Sequence, residues 1–219
     1  MSHKLKKIFI LLLVLISFFI TSCSVRYGTL SSDEKLRRLD IELQKWQNFR
    51  ITGMSEIHYR AFNITRPCVL VKSKEKIRFD ILDTGIFGLG GGIFMAFYAD
   101  SEIIQYKLPG SQTITSKNLD DKMKVWFDFL SESIFEELKE QKLRIINTNY
   151  AMIRNLEFFF YPDMQLKEIR NAESEIAIVF IYNKNFELSQ ISISSPLIKN
   201  LTISIDKIDY SDNIVIPLR

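Results

Sequence analysis

From Phe49 onward, apolar residues recur at every second position in short runs joined by turns of a few residues. Phe49, Ile51, Ile57 and Tyr59 alternate with Arg50, Thr52, Glu56, His58 and Arg60, the pattern of a strand with one face buried. A second strand is predicted over Arg66 to Lys72. A third carries Ile77, Phe79 and Ile81 against Arg78 and Asp80, after a polar turn at Ser73 to Lys76. The glycine-rich stretch Gly85 to Gly92 leads to Ile93–Ala99, Ser101-Glu102 turns the chain into Ile103–Leu108, and Pro109-Gly110 makes another turn. Further strands are predicted at Ile176–Tyr182, Phe186–Ser194, Leu201–Tyr210 and Ile214–Ile216. Connections this short favour antiparallel neighbours, because a parallel return needs a crossover of a dozen residues or more.

Two segments carry the helical period instead. Ser31 or Ser32 can cap a helix with Asp33 and Glu34 in its first turn, and Leu36, Leu39, Leu43 and Trp46 form one apolar stripe. Asn118 can cap a second helix with Asp120 and Asp121 in its first turn, running to about Gln141. It would bury Met123, Trp126, Phe127, Leu130, Ile134 and Leu138, leaving Glu132, Glu136, Glu137, Lys139 and Glu140 as a solvated face. Within 150–165, the run Leu156 to Tyr161 fits a strand or a helix. Strands, a helix, then strands again, with a helix in front, predict an α+β domain: one curved antiparallel sheet with helices packed in its concave face.

The first 23 residues are of another kind. Lys4, Lys6 and Lys7 precede an apolar run, Ile8 to Ile20, broken only by Ser17. This is a charged n-region and an h-region of signal-peptide length, too short to span a ~30 Å hydrocarbon core comfortably. Ile20-Thr21-Ser22-Cys23 resembles the bacterial lipobox, in which the cysteine is acylated and becomes the new N-terminus. An ordinary secretory signal or an uncleaved anchor would not require a cysteine there. The reading is therefore a lipoprotein signal peptide over 1–22, a lipidated tether over 23–30 and one domain over 31–219. Two or three acyl chains, at about 0.8 kcal/mol per buried CH₂, would hold such a chain at a membrane. Ser24, where an inner-membrane retention signal would place aspartate, favours the periplasmic face of the outer membrane; the outer leaflet of the inner membrane stays open.

Residues 1–22 hold three of the 29 Lys and Arg and none of the 26 acidic residues, so the rest of the chain is formally neutral. A nucleic-acid partner would need a basic face, and none is predicted. With Cys23 used for lipidation, Cys68 has no intramolecular partner and reads as a buried, inert thiol in Cys68-Val69-Leu70-Val71. His58 is the one remaining histidine and reads as a solvent-facing strand residue; a catalytic triad or zinc site is not supported. Arg78 and Asp80 read as the exposed face of their strand. No catalytic residue, metal or cofactor is expected. Asp83-Thr84-Gly85-Ile86-Phe87-Gly88-Leu89-Gly90-Gly91-Gly92 is no phosphate loop, since it lacks Gly-Lys-Ser/Thr and a strand follows it.

The order of elements resembles the LolA/LolB superfamily, and most nearly its LolB-like outer-membrane lipoproteins. Trp46-Gln47-Asn48-Phe49-Arg50-Ile51-Thr52-Gly53 resembles that family's first strand, and Ile77-Arg78-Phe79-Asp80-Ile81-Leu82 the strand before its protruding loop. Phe97-Tyr98-Ala99-Asp100 through Gln105-Tyr106 resembles the following hairpin. Pro196 through Ile203-Ser204-Ile205 to Ile216-Pro217 resembles the closing strands. The helix ending differs from the family's, and 142–165 has no counterpart in it. The resemblance implies an unclosed half-barrel, a cavity for acyl chains, and cargo of lipids or acylated lipoproteins received from a periplasmic carrier. It assigns Ile86, Phe87 and Leu89 to an apolar loop tip acting on membrane or acyl chains. Phe49, Ile51, Ile57, Tyr59, Ile77, Phe79, Ile81, Met95, Phe97, Trp126 and Leu130 are candidates to line the cavity; for each alone an ordinary core position is the simpler reading. Two functions stand: a lipid-binding receiver of acylated cargo, and a non-catalytic scaffold lipoprotein that holds protein partners in an envelope assembly. An open cavity favours the first, and one plugged by Trp126, Phe127 and their neighbours the second.

Overall fold

The computed structural model describes residues 30–59, 62–84, 92–118, 131–171, 173–196, 199–211, 214 and 216; the side chains of Tyr59 and Phe62 lie outside this description. Helix α1 (Ser32–Lys45) begins where Ser31, in an extended conformation, accepts the Glu34 amide on its hydroxyl at 3.2 Å. Asp33 and Glu34 occupy its first turn and Lys45 its last, charges matched to the helix dipole. Strands β1 (Asn48–Tyr59), β2 (Phe62–Ser73), β3 (Lys76–Leu82), β4 (Ile93–Ala99), β5 (Ile103–Lys107) and β6 (Thr115–Asn118) then run outward as an antiparallel meander. After α2 (Glu132–Glu140) and α3 (Lys142–Thr148) come β7 (Tyr150–Ile153), β8 (Leu156–Phe160), β9 (Leu166–Asn171), β10 (Ile176–Tyr182), β11 (Leu188–Ser194) and β12 (Asn200–Asp209).

The twelve strands form one sheet in the order β6-β5-β4-β3-β2-β1-β12-β11-β10-β9-β8-β7. Its edges, β6 and β7, are not paired with each other, so the sheet is unclosed. The chain therefore has to cross from one edge to the other between Asn118 and Tyr150, and α2 and α3 lie on that crossing, packed against α1. Register shifts at Thr52/Gly53, Ile81/Leu82, Phe159/Phe160 and Ile181/Tyr182 spread bulges across the sheet. Each adds local bend and twist, which curves the sheet around the helices.

The sheet strands follow the alternation closely, and the run at 156–161 resolves as β8. The long helix does not. Asn118 ends a strand rather than capping a helix, and Ser131 is extended (φ −68°, ψ 150°), so α2 starts at Glu132. The intervening 119–130 lie outside the described residues. Glu75 accepts the Glu132 amide at 2.7 Å, a carboxylate from the β2–β3 turn placed at the positive end of α2. Ile214 and Ile216, expected in a last strand, are described without strand pairing. Arg78 and Asp80 point to the convex face as expected, but only 11% and 15% of their side chains are exposed, and they pair at 2.8 Å. They are a largely covered ion pair, not a solvated face.

Candidate functional site

The concave face divides into a filled half and a half that the described helices leave partly exposed. In the filled half Phe49, Ile51 and Ile81 have no exposure. Trp46, at the end of α1, lies edge-on to Phe49 (5.4 Å) and Phe180 (4.6 Å). Leu39 and Leu43 of α1 and Ile134, Phe135 and Leu138 of α2 complete this layer. Phe49, Ile51 and Ile81 thus sit in a packed core. Glu42 is buried in the same layer. Its Oε1 accepts from Trp46 Nε1 (3.0 Å), the Leu166 amide (3.0 Å) and the Tyr182 hydroxyl (3.1 Å), joining α1 to β9 and β10. Burial, then the facing Glu42 carboxylate, holds the Tyr182 phenol far above its usual range.

Lys72 is a further buried charge-bearing group, 1% exposed and on the concave side opposite Phe49. Its Nζ donates to the carbonyls of Gln47 (3.0 Å) and Lys74 (2.8 Å) and lies 5.6 Å from the centre of the Phe135 ring. Burial pushes the amine down to about 8, partly offset by Glu75 and Glu132. The unfolded chain would hold this proton up to about pH 10.5, so the burial penalty is full below pH 8 and vanishes above pH 10.5. A shift of this size corresponds to about 3 kcal/mol. Urea unfolding of wild type and Lys72→Met should therefore show their stability difference moving by about 3 kcal/mol in favour of wild type between pH 8 and 10.5. A difference that stays flat with pH would mean the amine is hydrated in the native state.

Ile57, Ile77, Phe79 and Met95 share the concave face but are only partly buried, packed against the core. Phe79 pairs with Phe97 and Ile81 with Met95, which puts Phe97 on this face also. The bulge at Ile81/Leu82 turns Phe94 toward Arg66, whose guanidinium lies 4.5 Å from the ring centre and 2.8 Å from Asp83. Arg66 and Phe94 are additions that the alternation alone did not mark: Arg66 is a cation in register with inward Ser55, and Phe94 would point outward without its bulge. Cys23, Ile86, Phe87, Leu89, Trp126 and Leu130 lie outside the described residues, as does the Tyr59 side chain.

No family model and no curated protein matches this chain. Among solved structures it is similar to a LolA superfamily protein from Nitrosomonas europaea, with a TM-score of 0.42 at 7% identity over 84% of this chain and 94% of that one. A domain described as an outer-membrane lipoprotein-sorting protein from Vibrio parahaemolyticus gives a TM-score of 0.42 at 8% identity, covering 84% and 95%. A DUF1329 family protein from Desulfovibrio piger gives 0.37 at 9%, covering 84% and 93%.

The remaining polar groups form no reaction centre among the described residues. Cys68 is buried, and its thiol is pushed up to about 11 by burial, which disfavours the nucleophilic thiolate. His58 faces the convex side, 3.2 Å from Glu56, with both side chains well exposed. No three His, Cys, Asp or Glu side chains among the described residues gather to hold a metal ion. A small cleft over β4 and β5 is lined by Arg78, Ala96, Tyr98, Gln105, Lys107 and Ile114, among others.

Proposed function

We propose that this protein is a membrane-anchored lipoprotein that binds acyl chains of lipids or lipoproteins on its concave face. The observation that carries the reading is that Ile57, Phe79, Phe94 and Met95 stay partly exposed on the concave face of an unclosed sheet, with no second sheet among the described residues to cover them. An apolar, concave surface binds hydrocarbon without any catalytic group. Its support in the sequence is Lys4 to Cys23, read as an acylated N-terminus, and the resemblance to LolB-like lipoproteins, which adds receipt of acylated cargo at the outer membrane. By the same resemblance, Ile86, Phe87 and Leu89 would be the apolar tip that engages the chain.

The scaffold reading draws on one observation, the filling of the space under α1 by Trp46, 1% exposed between Phe49 and Phe180. Native mass spectrometry of residues 24–219, secreted and kept free of detergent, separates the two. The carrier reading expects a co-purifying lipid or acylated peptide, and uptake of a fluorescent fatty-acyl probe. Phe79→Asp, with folding checked by circular dichroism, should weaken that uptake about 10- to 100-fold, the worth of one buried aromatic contact. In cells Cys23→Ser should move the protein from the membrane to the soluble fraction. A clean apo mass with no uptake would shift the assignment to the scaffold.

A further inference from the structure

The edge of the sheet at β7 and the adjoining α3 carry exposed apolar, aromatic and cationic side chains. Leu143 on α3 is 69% exposed and Met152 on β7 is 48% exposed; the Gln141 side-chain amide donates to the Met152 carbonyl at 3.2 Å, holding the two elements together. On the same convex face as Met152, the rings of Tyr150 and Phe159 lie 5.3 Å apart. The Arg144 guanidinium covers Tyr150 at 5.6 Å and that of Arg170 covers Phe159 at 5.2 Å. Arg170 is paired with Glu168, whereas Arg144 makes no ion pair among the described residues. Leucine and methionine to insert, tyrosine at the polar boundary and an arginine able to reach headgroups is the composition of a surface that rests at a bilayer interface.

The length of the tether says which bilayer. Only seven Cα steps separate Cys23 from Leu30, a span of at most about 25 Å. The chain enters the domain at α1, whose Lys35 donates to the Ile146 carbonyl of α3 at 3.0 Å and whose Asp40 pairs with Lys142. α3 and the β7 edge it adjoins therefore lie beside the first helix that follows the tether. We infer that this edge lies against the membrane that holds the anchor, with Leu143, Met152 and Tyr150 in the interface. This orientation rests on the lipidated reading of Cys23.

The test uses the full acylated protein reconstituted into phosphatidylglycerol–phosphatidylethanolamine vesicles, with an environment-sensitive label at Leu143→Cys or, on the opposite sheet edge, at Ser116→Cys. Cys68 is buried and stays unlabelled. Nitroxide lipids should quench the label at 143 and leave the label at 116 unquenched. Adding Arg144→Glu and Met152→Asp, both exposed positions, should lower quenching at 143 to the level at 116 with the circular dichroism spectrum unchanged. Acylated protein with no quenching at 143, whether the label is open to water or shielded by a second copy, overturns the orientation and leaves the anchor standing. An intact mass without acyl chains overturns the anchor and the orientation with it.

Discussion

Replacing Glu42 by leucine will cost the fold about 3–5 kcal/mol, the range seen when one partner of a buried charged network is removed. The leucine fills much of the space but leaves the Leu166 amide and Trp46 Nε1 without the oxygen they share. Each buried donor left unmade costs about 1–3 kcal/mol. The Tyr182 hydroxyl suffers less, because it also lies 2.9 Å from the Leu166 carbonyl and can donate there. Glu42→Gln keeps an acceptor in place and should lose only about 1–2 kcal/mol, the difference between a charge-assisted and a neutral hydrogen bond. Denaturant unfolding of the three proteins should rank them wild type, glutamine, leucine. Equal stability of the leucine variant would show that the carboxylate's burial cost cancels its bonds.

The second large effect is expected at Gly53. A Cβ built there overlaps the carbonyl oxygen of Ser204 and comes within 3.0 Å of its carbon and 3.1 Å of Ile205 Cα. These are backbone atoms of β12, so no side chain can swing aside. The bulge at Thr52/Gly53 brings the two strands this close, in the middle of the sheet. Gly53→Ala should cost about 3 kcal/mol or more, above the usual penalty for one added methyl in a core, because the strands themselves must separate. Gly53→Val should abolish soluble accumulation. The check is urea unfolding for the alanine variant and secreted yield for the valine. A small loss would mean that the β1–β12 ladder slides to absorb the methyl.

Much of this architecture can be read in the residues, and the misses have physical causes. β10 follows its apolar pattern from Ile176 to Tyr182 because both its neighbours are strands and its inward residues are core. β6 escaped notice since Thr115–Asn118 is polar and fully exposed: an edge strand held by pairing to β5 leaves no hydrophobic period. The helical period from Asn118 to Gln141 hides the extended Ser131, because a serine that precedes the first turn of a helix looks like any polar position on its solvated side. Glu42 reads as a surface residue of an amphipathic helix until its three donors, from α1, β9 and β10, are in place. Lys72 ends an unbroken apolar run, Cys68 to Val71, in which alternation says nothing about facing. At the candidate site the apolar face of β3 was legible, whereas Arg66 and Phe94 depended on cross-strand register and a bulge.

The strand order has a consequence for the making of the protein. β1 and β12, the first and last strands, lie side by side at the centre of the sheet. The earlier strands can zip up with sequence neighbours as they emerge, but the two halves meet only across this seam, and a pairing so distant along the chain is slow to find. The centre is built last. A chain whose seam has not yet closed would therefore present two separate strand ribbons, each with an open inner edge. The interval before the seam closes is when such edges are most exposed to aggregation and to capture by folding factors.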